Sequence, residues 1–289
     1  MRMKKFLSFV LVFFAVGYAT AQDDLLNQLD AEKPTEKQIE TAAFKGLQIC
    51  NMQSTKLPAG GEWYMVISHR FGDLTQGLDN FFGLDAAYTK VGGIYGVTNW
   101  LSLGASRQTH NKLYELTAKY KFANQMESGF PVTIVGYNTM DINTDLKKAA
   151  NPGIKFNNRL AYTSQLLISR KFSNSFSLEV APIFLHKNLY EYGVEQNNQY
   201  FLGSGARYKV SKRLSVNLEY AARLIIVEGF VSKYQNPLSL GLDIETGGHV
   251  FQLVFSNSQP MNDVAVFSNT TGNWNGGSLY FGFNMYRVF

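Results

Sequence analysis

Charge is scarce in this chain: only 17% of its 289 residues are Asp, Glu, Lys or Arg, against roughly 25% in an average soluble domain. Cysteine is scarcer still. Cys50 stands alone, which excludes an internal disulfide and leaves it to be read as a small, half-buried apolar side chain. Beyond the first block, no apolar run approaches the ~18 residues that a membrane-spanning helix requires. No cluster of Lys and Arg alternates with aromatics, so a nucleic-acid partner is not expected. Phosphate loop, CxxC pair, GxSxG elbow and dinucleotide fingerprint are all missing. The chain is nevertheless not greasy, with 45% hydrophobic and 14% aromatic residues and a mean hydropathy of −0.13.

The first block accounts for much of the charge imbalance. Arg2, Lys4 and Lys5 precede an apolar stretch over 6–16 and then Ala19-Thr20-Ala21. This is the pattern of a cleaved secretory signal peptide over 1–21. Its removal takes three cations and no anions from the formal +5. That leaves 24 Lys and Arg against 22 Asp and Glu, so the basic balance carries no information about partners. A lipid anchor would need cysteine directly after the cleavage site, and Gln22 stands there. Residues 22–61 read as a periplasmic N-terminal segment and linker. A short amphipathic helix is expected at 23–29, a linker at 32–37, a weakly alternating strand within 44–55 and a turn at 58–61.

From residue 62 to the end, apolar residues recur at every second position. Leu214, Val216, Leu218, Tyr220, Ala222 and Leu224 alternate with Ser215, Asn217, Glu219, Ala221 and Arg223. Tyr114, Leu116, Ala118, Tyr120 and Phe122 behave alike, as do Phe176, Leu178, Val180, Pro182 and Phe184, and Leu238, Leu240, Leu242 and Ile244. A period of two marks strands with one apolar and one polar face. About twelve such segments begin near 62, 83, 100, 112, 131, 158, 175, 199, 213, 238, 249 and 276, many of them near the ~9–11 residues of a tilted membrane strand. The connections between them alternate in length. Long ones fall at 72–82, 141–157, 188–198, 225–237 and 257–275, with a short one at 109–111. Tight ones fall at 98–99, 173–174, 211–212 and 247–248, with a longer one at 123–130. Short inner turns with long outer loops characterise outer-membrane barrels, whereas a soluble sandwich has no reason to sort its loops by parity.

The expected fold is therefore an all-β, transmembrane, antiparallel up-and-down barrel of about twelve strands over 62–289, with the apolar face toward lipid. Aromatics near strand ends (Phe176, Phe184, Tyr200, Tyr208, Phe251, Phe255) suit the two interfacial girdles. The final strand alternates through Phe281 and Phe283 and stops at Phe289, like the insertion signal of barrel proteins. Arg287 departs from that signal but can snorkel at the rim. Expected partners are the outer-membrane bilayer and the assembly machinery that inserts barrels. A small solute is also possible.

The polar face would form a lumen charge network of Glu115, Lys119, Glu179, Arg207, Arg213, Glu219, Arg223, Asp243 and Glu245. Mixed signs and lumen glycines (Gly203, Gly205, Gly241, Gly282) suggest a crowded interior in which structural ion pairs satisfy one another. Of the four histidines, His69, His110 and His186 are expected at the outer side, while His249 opens a strand. They lack metal-ligand spacing, so no metal, cofactor or catalytic group is assigned. An outer-membrane hydrolase using these histidines is the weakest alternative. Asp79, Asp85 and Asp141 read as ordinary loop carboxylates.

Local phrases place the chain beside a known group. They are Asp24-Leu25-Leu26, Phe44-Lys45-Gly46, His69-Arg70-Phe71-Gly72, Phe82-Gly83-Leu84-Asp85, Gly248-His249-Val250-Phe251-Gln252-Leu253, and Phe281-Gly282-Phe283-Asn284 running to Arg287-Val288-Phe289. In these the chain resembles a family of Bacteroidota outer-membrane β-barrel proteins of unknown function. The resemblance implies a barrel and supplies no activity. On the residues alone, two roles stand open: a narrow pore that binds or passes a small solute, and a closed structural barrel that presents its loops or N-terminal segment to partners.

Overall fold

Alternating strands are stable in lipid only when no edge is left unpaired. In the computed structural model the sheet closes on itself. Its antiparallel strands are β1 (Trp63–Asp73), β2 (Tyr88–Gly96), β3 (Leu101–Gln108), β4 (Tyr114–Ala123), β5 (Thr133–Ile142), β6 (Leu160–Lys171), β7 (Phe176–Lys187), β8 (Asn198–Lys209), β9 (Leu214–Leu224), β10 (Leu238–Thr246), β11 (His249–Ser256) and β12 (Tyr280–Val288). Each pairs with its neighbours in sequence, and β12 pairs with β1 to complete a twelve-stranded barrel. The closing register runs from Tyr64 opposite Val288 to Arg70 opposite Gly282. The structure describes residues 39–150, 152–224, 232–246 and 249–289. The expected signal peptide, the helix at 23–29, the linker at 32–37, the turn at 247–248 and most of the loop before β10 lie outside the described residues.

Side-chain burial follows the alternation. On β7, Ser177, Glu179, Ala181, Ile183 and Leu185 are buried toward the lumen, while Phe176, Leu178, Val180, Pro182 and Phe184 face out. On β9 the inward set is Ser215, Asn217, Glu219 and Ala221, and the outward set includes Val216, Leu218 and Tyr220. Leu116, Leu202 and Leu240 extend this outer apolar surface on β4, β8 and β10. A belt of this extent far exceeds the few hundred Å² of contiguous apolar surface that soluble monomers expose.

Connections at 74–87, 143–159, 188–197 and 257–279 share one end with the shorter 109–113, and we call this the outer end. The connections at 97–100, 172–175, 210–213 and 124–132 lie at the inner end, where β1 begins and β12 finishes. Two strands start later than the alternation predicts. Strand β2 starts at 88 rather than 83, because 74–86 winds into tight turns in which Phe81, Phe82 and Gly83 have φ of 41°, 55° and 90°, values no strand contains. Strand β12 starts at 280 rather than 276, because an Asn273–Ser278 bridge closes a small turn ahead of it. Asp141, read as a loop residue, is the penultimate residue of β5 and is buried.

Two segments fill the barrel. The first belongs to the stretch read as a periplasmic segment, and its described part enters the barrel: Ala43, Phe44 and 47–55 are buried inside the sheet. A barrel of this strand number is too wide for its wall side chains to fill, and this stretch occupies the space. The second is a short helix, α1 (Asp263–Ser268), in the β11–β12 connection; all its residues are buried. That connection folds inward instead of projecting from the outer end.

Placing arginine on the lipid face tests the orientation of the sheet. Leu218→Arg, at the middle of β9, is expected to lower folding stability in vesicles by roughly 2–4 kcal/mol. Tyr208→Arg, near the inner end of β8, should cost about 1 kcal/mol or less. Equal costs in a urea titration would show that this face does not meet lipid.

Candidate functional site

Residues 47–54 form a tight hairpin. Gln48 bridges Gln53, Ile49 N donates to Met52 O at 2.8 Å, and Ser54 N donates to Leu47 O at 3.0 Å. At the tip, three successive amides point the same way, and each donates to the carboxylate of Glu219 on β9. The distances are 2.9 Å from Cys50, 2.8 Å from Asn51 and 2.9 Å from Met52. A turn whose N–H groups converge is a ready anion receptor, and here the anion belongs to the barrel wall. Each such charge-assisted bond is worth about 1.5–3 kcal/mol.

The hairpin's remaining polar atoms meet side chains around nearly the whole circumference. Thr55 N donates to Glu179 on β7 (3.0 Å). Lys119 on β4 donates to the carbonyls of Leu47, Ser54 and Lys56. Ile49 O accepts from Asn217 on β9 and Gln252 on β11, and Cys50 O accepts from Asn284 on β12. Asn51 donates to Ser239 and Ser256 and accepts from Arg70 on β1 (2.9 Å). Gln252 also joins Asp243 to Asn284.

Glycines in the wall make room for the tip. A Cβ on Gly205 would stand 2.3 Å from Ile49 Cδ1, one on Gly241 2.6 Å from Cys50 Sγ, and one on Gly203 2.5 Å from Met52 Cε. Met52 joins one apolar cluster with Leu167, Ile183, Phe201 and, from α1, Val264, Val266 and Phe267. Hairpin and helix therefore meet in a shared core within the lumen. Beside Leu47, Gln53 and Lys90 a void of about 30 Å³ remains, room for a water or two.

The outer half holds α1 by its ends. Arg223 donates to the carbonyls of Phe267 and Ser268 at its C-terminus (both 3.2 Å) and lies over the Phe201 ring. At the other end Asp263 accepts from Gln165 (2.5 Å), Asn262 donates to Asp141 (2.6 Å), and Lys90 donates to Met261 O. Lys90 also pairs with Glu115, which lies directly across the β4–β5 ladder from Asp141. Burial first, then the Glu115 carboxylate, pushes the Asp263 carboxyl up to about 7. Burial pushes the Cys50 thiol well above its ordinary value.

The plug leaves a blind mouth at each end. The outer vestibule, about 410 Å³, is lined by residues including His110, Asp141, Arg159, Lys187 and Asn262. The inner mouth, about 420 Å³, is lined by residues including Lys45, Lys56, Arg213 and Glu245.

Of the residues expected in a lumen charge network, Glu179, Glu219 and Lys119 come together on the hairpin. Asp243 reaches it through Gln252, and Arg223 and Glu115 serve the α1 end. Arg207 pairs with Glu245 at 3.1 Å, and Glu245 also meets Lys45 at 3.3 Å. Arg213 lies beside Glu245, whose N–H donates to the Arg213 carbonyl at 2.8 Å, while its side chain is exposed at the inner rim and has no carboxylate partner among the described residues. The histidines do not converge. His69 faces outward on β1, edge-on to Phe71 and stacked on Phe283, and His186 faces outward on β7, bonded to Asn188 and Asn198. Strands β1 and β7 lie on opposite sides of the barrel. His110 alone reaches the vestibule, and His249 opens β11 at the inner end. Among the described residues, no group of three His, Cys, Asp or Glu side chains is placed to hold a metal ion. Phe281, Phe283 and Phe289 share the outward parity of β12, with Arg287 over the Phe289 ring.

Sequence reasoning missed Arg70, Lys90, Asn51, Gln252, Asn284 and Asp263. Strand β1 is apolar on both faces at its inner half (Trp63, Met65 and Ile67 outward, Tyr64 and Val66 inward), so parity does not single out Arg70. Lys90 is a lone inward cation on β2, and the others are amides or loop residues; all gain meaning only from the hairpin and α1.

The family model described as "Membrane bound beta barrel domain (DUF5777)" matches residues 44–289, and the chain belongs to that family. The match begins at the hairpin segment, ahead of the first strand. A comparison with curated proteins finds no match. Among solved structures, the chain is similar to the KdgM porin in complex with disordered oligogalacturonate, at TM-score 0.50 and 10% identity over 78% of this chain and 99% of that one. It is also similar to an outer-membrane channel from Pseudomonas putida F1, at TM-score 0.47 and 14% identity over 81% and 97%. For the NanC porin the values are 0.47 and 9%, over 78% and 98%. At such identities the likeness concerns the fold alone.

Cys50 reports on the hairpin, because a thiol reagent reaches it only when the tip leaves the wall. Glu219→Gln keeps the shape but replaces one acceptor with a donor facing an N–H. Labelling of Cys50 by a water-soluble maleimide is expected to accelerate about tenfold or more, at 1.4 kcal/mol per decade. An unchanged rate would mean that Glu219 does not hold the tip.

Proposed function

We propose that this membrane-bound barrel is an outer-membrane channel for small solutes that rests closed, its lumen blocked by its own hairpin and by α1. The seating of the hairpin tip on Glu219 carries the reading. An insert that only filled the lumen would need no more than apolar side chains packed on an apolar wall. This wall instead has glycines under the tip and a ring of amides that fit the hairpin's own main chain. Such contacts release as a unit, since each depends on the tip being in place. A solute entering from outside reaches the vestibule and stops at α1, so passage requires both inserts to yield.

The porin-like architecture, the apolar outer belt and the sorted loop lengths support an outer-membrane location. Phe281, Phe283 and Phe289 would serve recognition by the insertion machinery. The second reading is a permanently closed barrel that works through its loops, and it is favoured by how completely the hairpin's polar groups are satisfied. The separation of His69 from His186 across the barrel favours both readings over a hydrolase.

Planar-bilayer recording decides between them. The intact chain is expected to show rare, brief openings, and Glu219→Gln is expected to raise their frequency about tenfold, following the same loss of charge-assisted bonds. A thiol at position 241 would lie against Cys50, so oxidised Gly241→Cys in the Glu219→Gln background should abolish the openings, and reductant should restore them. Steady conductance of the unmodified chain would refute the closed resting state. Silence of Glu219→Gln, with Cys50 labelling accelerated, would favour the permanently closed barrel.

A further inference from the structure

The outer vestibule contains two opposite kinds of unmet demand. Asp141 and Asn262, at most 2% exposed, line it, and each has one side-chain oxygen, Oδ1, without a hydrogen-bond partner among the described residues. Their other polar atoms are committed to each other at 2.6 Å. The free atoms are buried acceptors, so they call for a donor, and one in the cavity reaches them once the Asp141 and Asn262 side chains turn toward it. Asp141 stands across the ladder from Glu115, whose cation, Lys90, it must share. The local excess is therefore negative.

Arg159 supplies the opposite demand. Its backbone carbonyl accepts from Asn143 N (2.9 Å), and one guanidinium nitrogen donates to Asn143 O (3.1 Å). No carboxylate meets the rest of the fork among the described residues. The other cation on this wall, Lys187, is spent on Glu195 at 2.5 Å and Asn269 at 3.2 Å. Asp141 lies opposite Ala161 and Asn143 beside Arg159, two residues apart along the same ladder, a spacing of about 7 Å. An acceptor floor and a free guanidinium thus face one cavity of about 410 Å³, within the range of small-ligand pockets.

We propose that the outer vestibule binds a small zwitterion, a free amino acid or short peptide, with its ammonium on Asp141 and Asn262 and its carboxylate on Arg159. A neutral sugar would use the amides of Asn158 and Asn269 but would leave the guanidinium without an anion. A simple anion would meet the Asp141 carboxylate, and a simple amine would leave Arg159 unused. Only a ligand with both charges a short distance apart satisfies both groups. The inference rests on the closed-barrel reading in one respect, that α1 forms a floor on which a solute halts.

Calorimetric titration of the detergent-solubilised full chain tests it, with diglycine, methylammonium, acetate and glucose as probes. Diglycine is expected to bind at least about tenfold more tightly than either half or glucose, the worth of one charge-assisted contact. Arg159→Gln should remove its advantage over methylammonium, and Asp141→Asn its advantage over acetate. Heat-modifiable migration verifies folding. Should the buried Asp141→Asn variant fail to fold, the half-exposed Arg159→Gln carries the test alone. Glucose binding as tightly as diglycine, no diglycine binding by the folded chain, or an unchanged preference in Arg159→Gln would each overturn the inference. Bilayer recording on the same preparation separates the two readings. A closed barrel that binds no diglycine defeats this inference alone, and a steadily conducting barrel that binds it defeats only the closed resting state.

Discussion

A single buried carboxylate organises the interior of this barrel. Removing an anion from water costs several kcal/mol unless its lone pairs are filled. Glu219 fills them with the amides of Cys50, Asn51 and Met52 and not with a cation. The dependence runs both ways. Without Glu219 those amides would be buried N–H groups without partners inside the lumen. Seating the tip at this depth fixes what must lie around it: little or no side chain at 203, 205 and 241, and amides from β9, β11 and β12 at the heights of the Ile49 and Cys50 carbonyls. A bulky residue at any of those glycines would displace the tip from its anion.

The two halves of the lumen solve the same problem with different chemistry. Around the hairpin, wall amides bond its carbonyls, wall serines bond the Asn51 side chain, and Glu219, Glu179 and Lys119 each meet main-chain groups. Around α1 the wall contributes ionisable groups, with Lys90, Glu115, Asp141 and Asp263 close together and only one cation among them. The inner half is the more fully bonded, with Glu179 Oε1 and Asn217 Oδ1 the acceptors left unmatched around the hairpin among the described residues. The outer half keeps acceptors at Asp141, Asn262 and Asp263 that are unmatched among the described residues. A saturated network specifies one arrangement, whereas a partly satisfied one leaves room for a further group. On the proposed readings, closure rests on the first half and recognition on the second.

The barrel was legible in the sequence because its two signals are local. Alternation over 214–224 needs no knowledge of the partner strand, and the sorting of loop lengths is a property of the chain read end to end. The lumen face was legible for the same reason, with Glu115, Glu179, Arg207 and Glu219 all on the predicted parity. What those charges do was not legible. The stretch 44–55 alternates weakly because it is neither a strand nor surface: its structure comes from bonds to residues more than a hundred positions away. Likewise 257–275 resembles any solvated loop until Phe267 is seen packing on Phe201.

Mixed lumen charge invited a picture of ion pairs, and a few exist, notably Arg207–Glu245 and Lys90–Glu115. Most of the other buried charges instead bind backbone: Glu219 and Glu179 take amides, while Lys119 and Arg223 take carbonyls. The difference has a physical consequence. An ion pair between two wall strands would brace the barrel whether or not anything occupied it. A charge matched to the main chain of an insert is stable only while the insert is in place, because removing the insert leaves that charge facing an empty lumen. Water must then enter to solvate it. On the proposed closed-channel reading, the groups that seat the inserts are the ones that would line a wet, polar passage once the inserts moved.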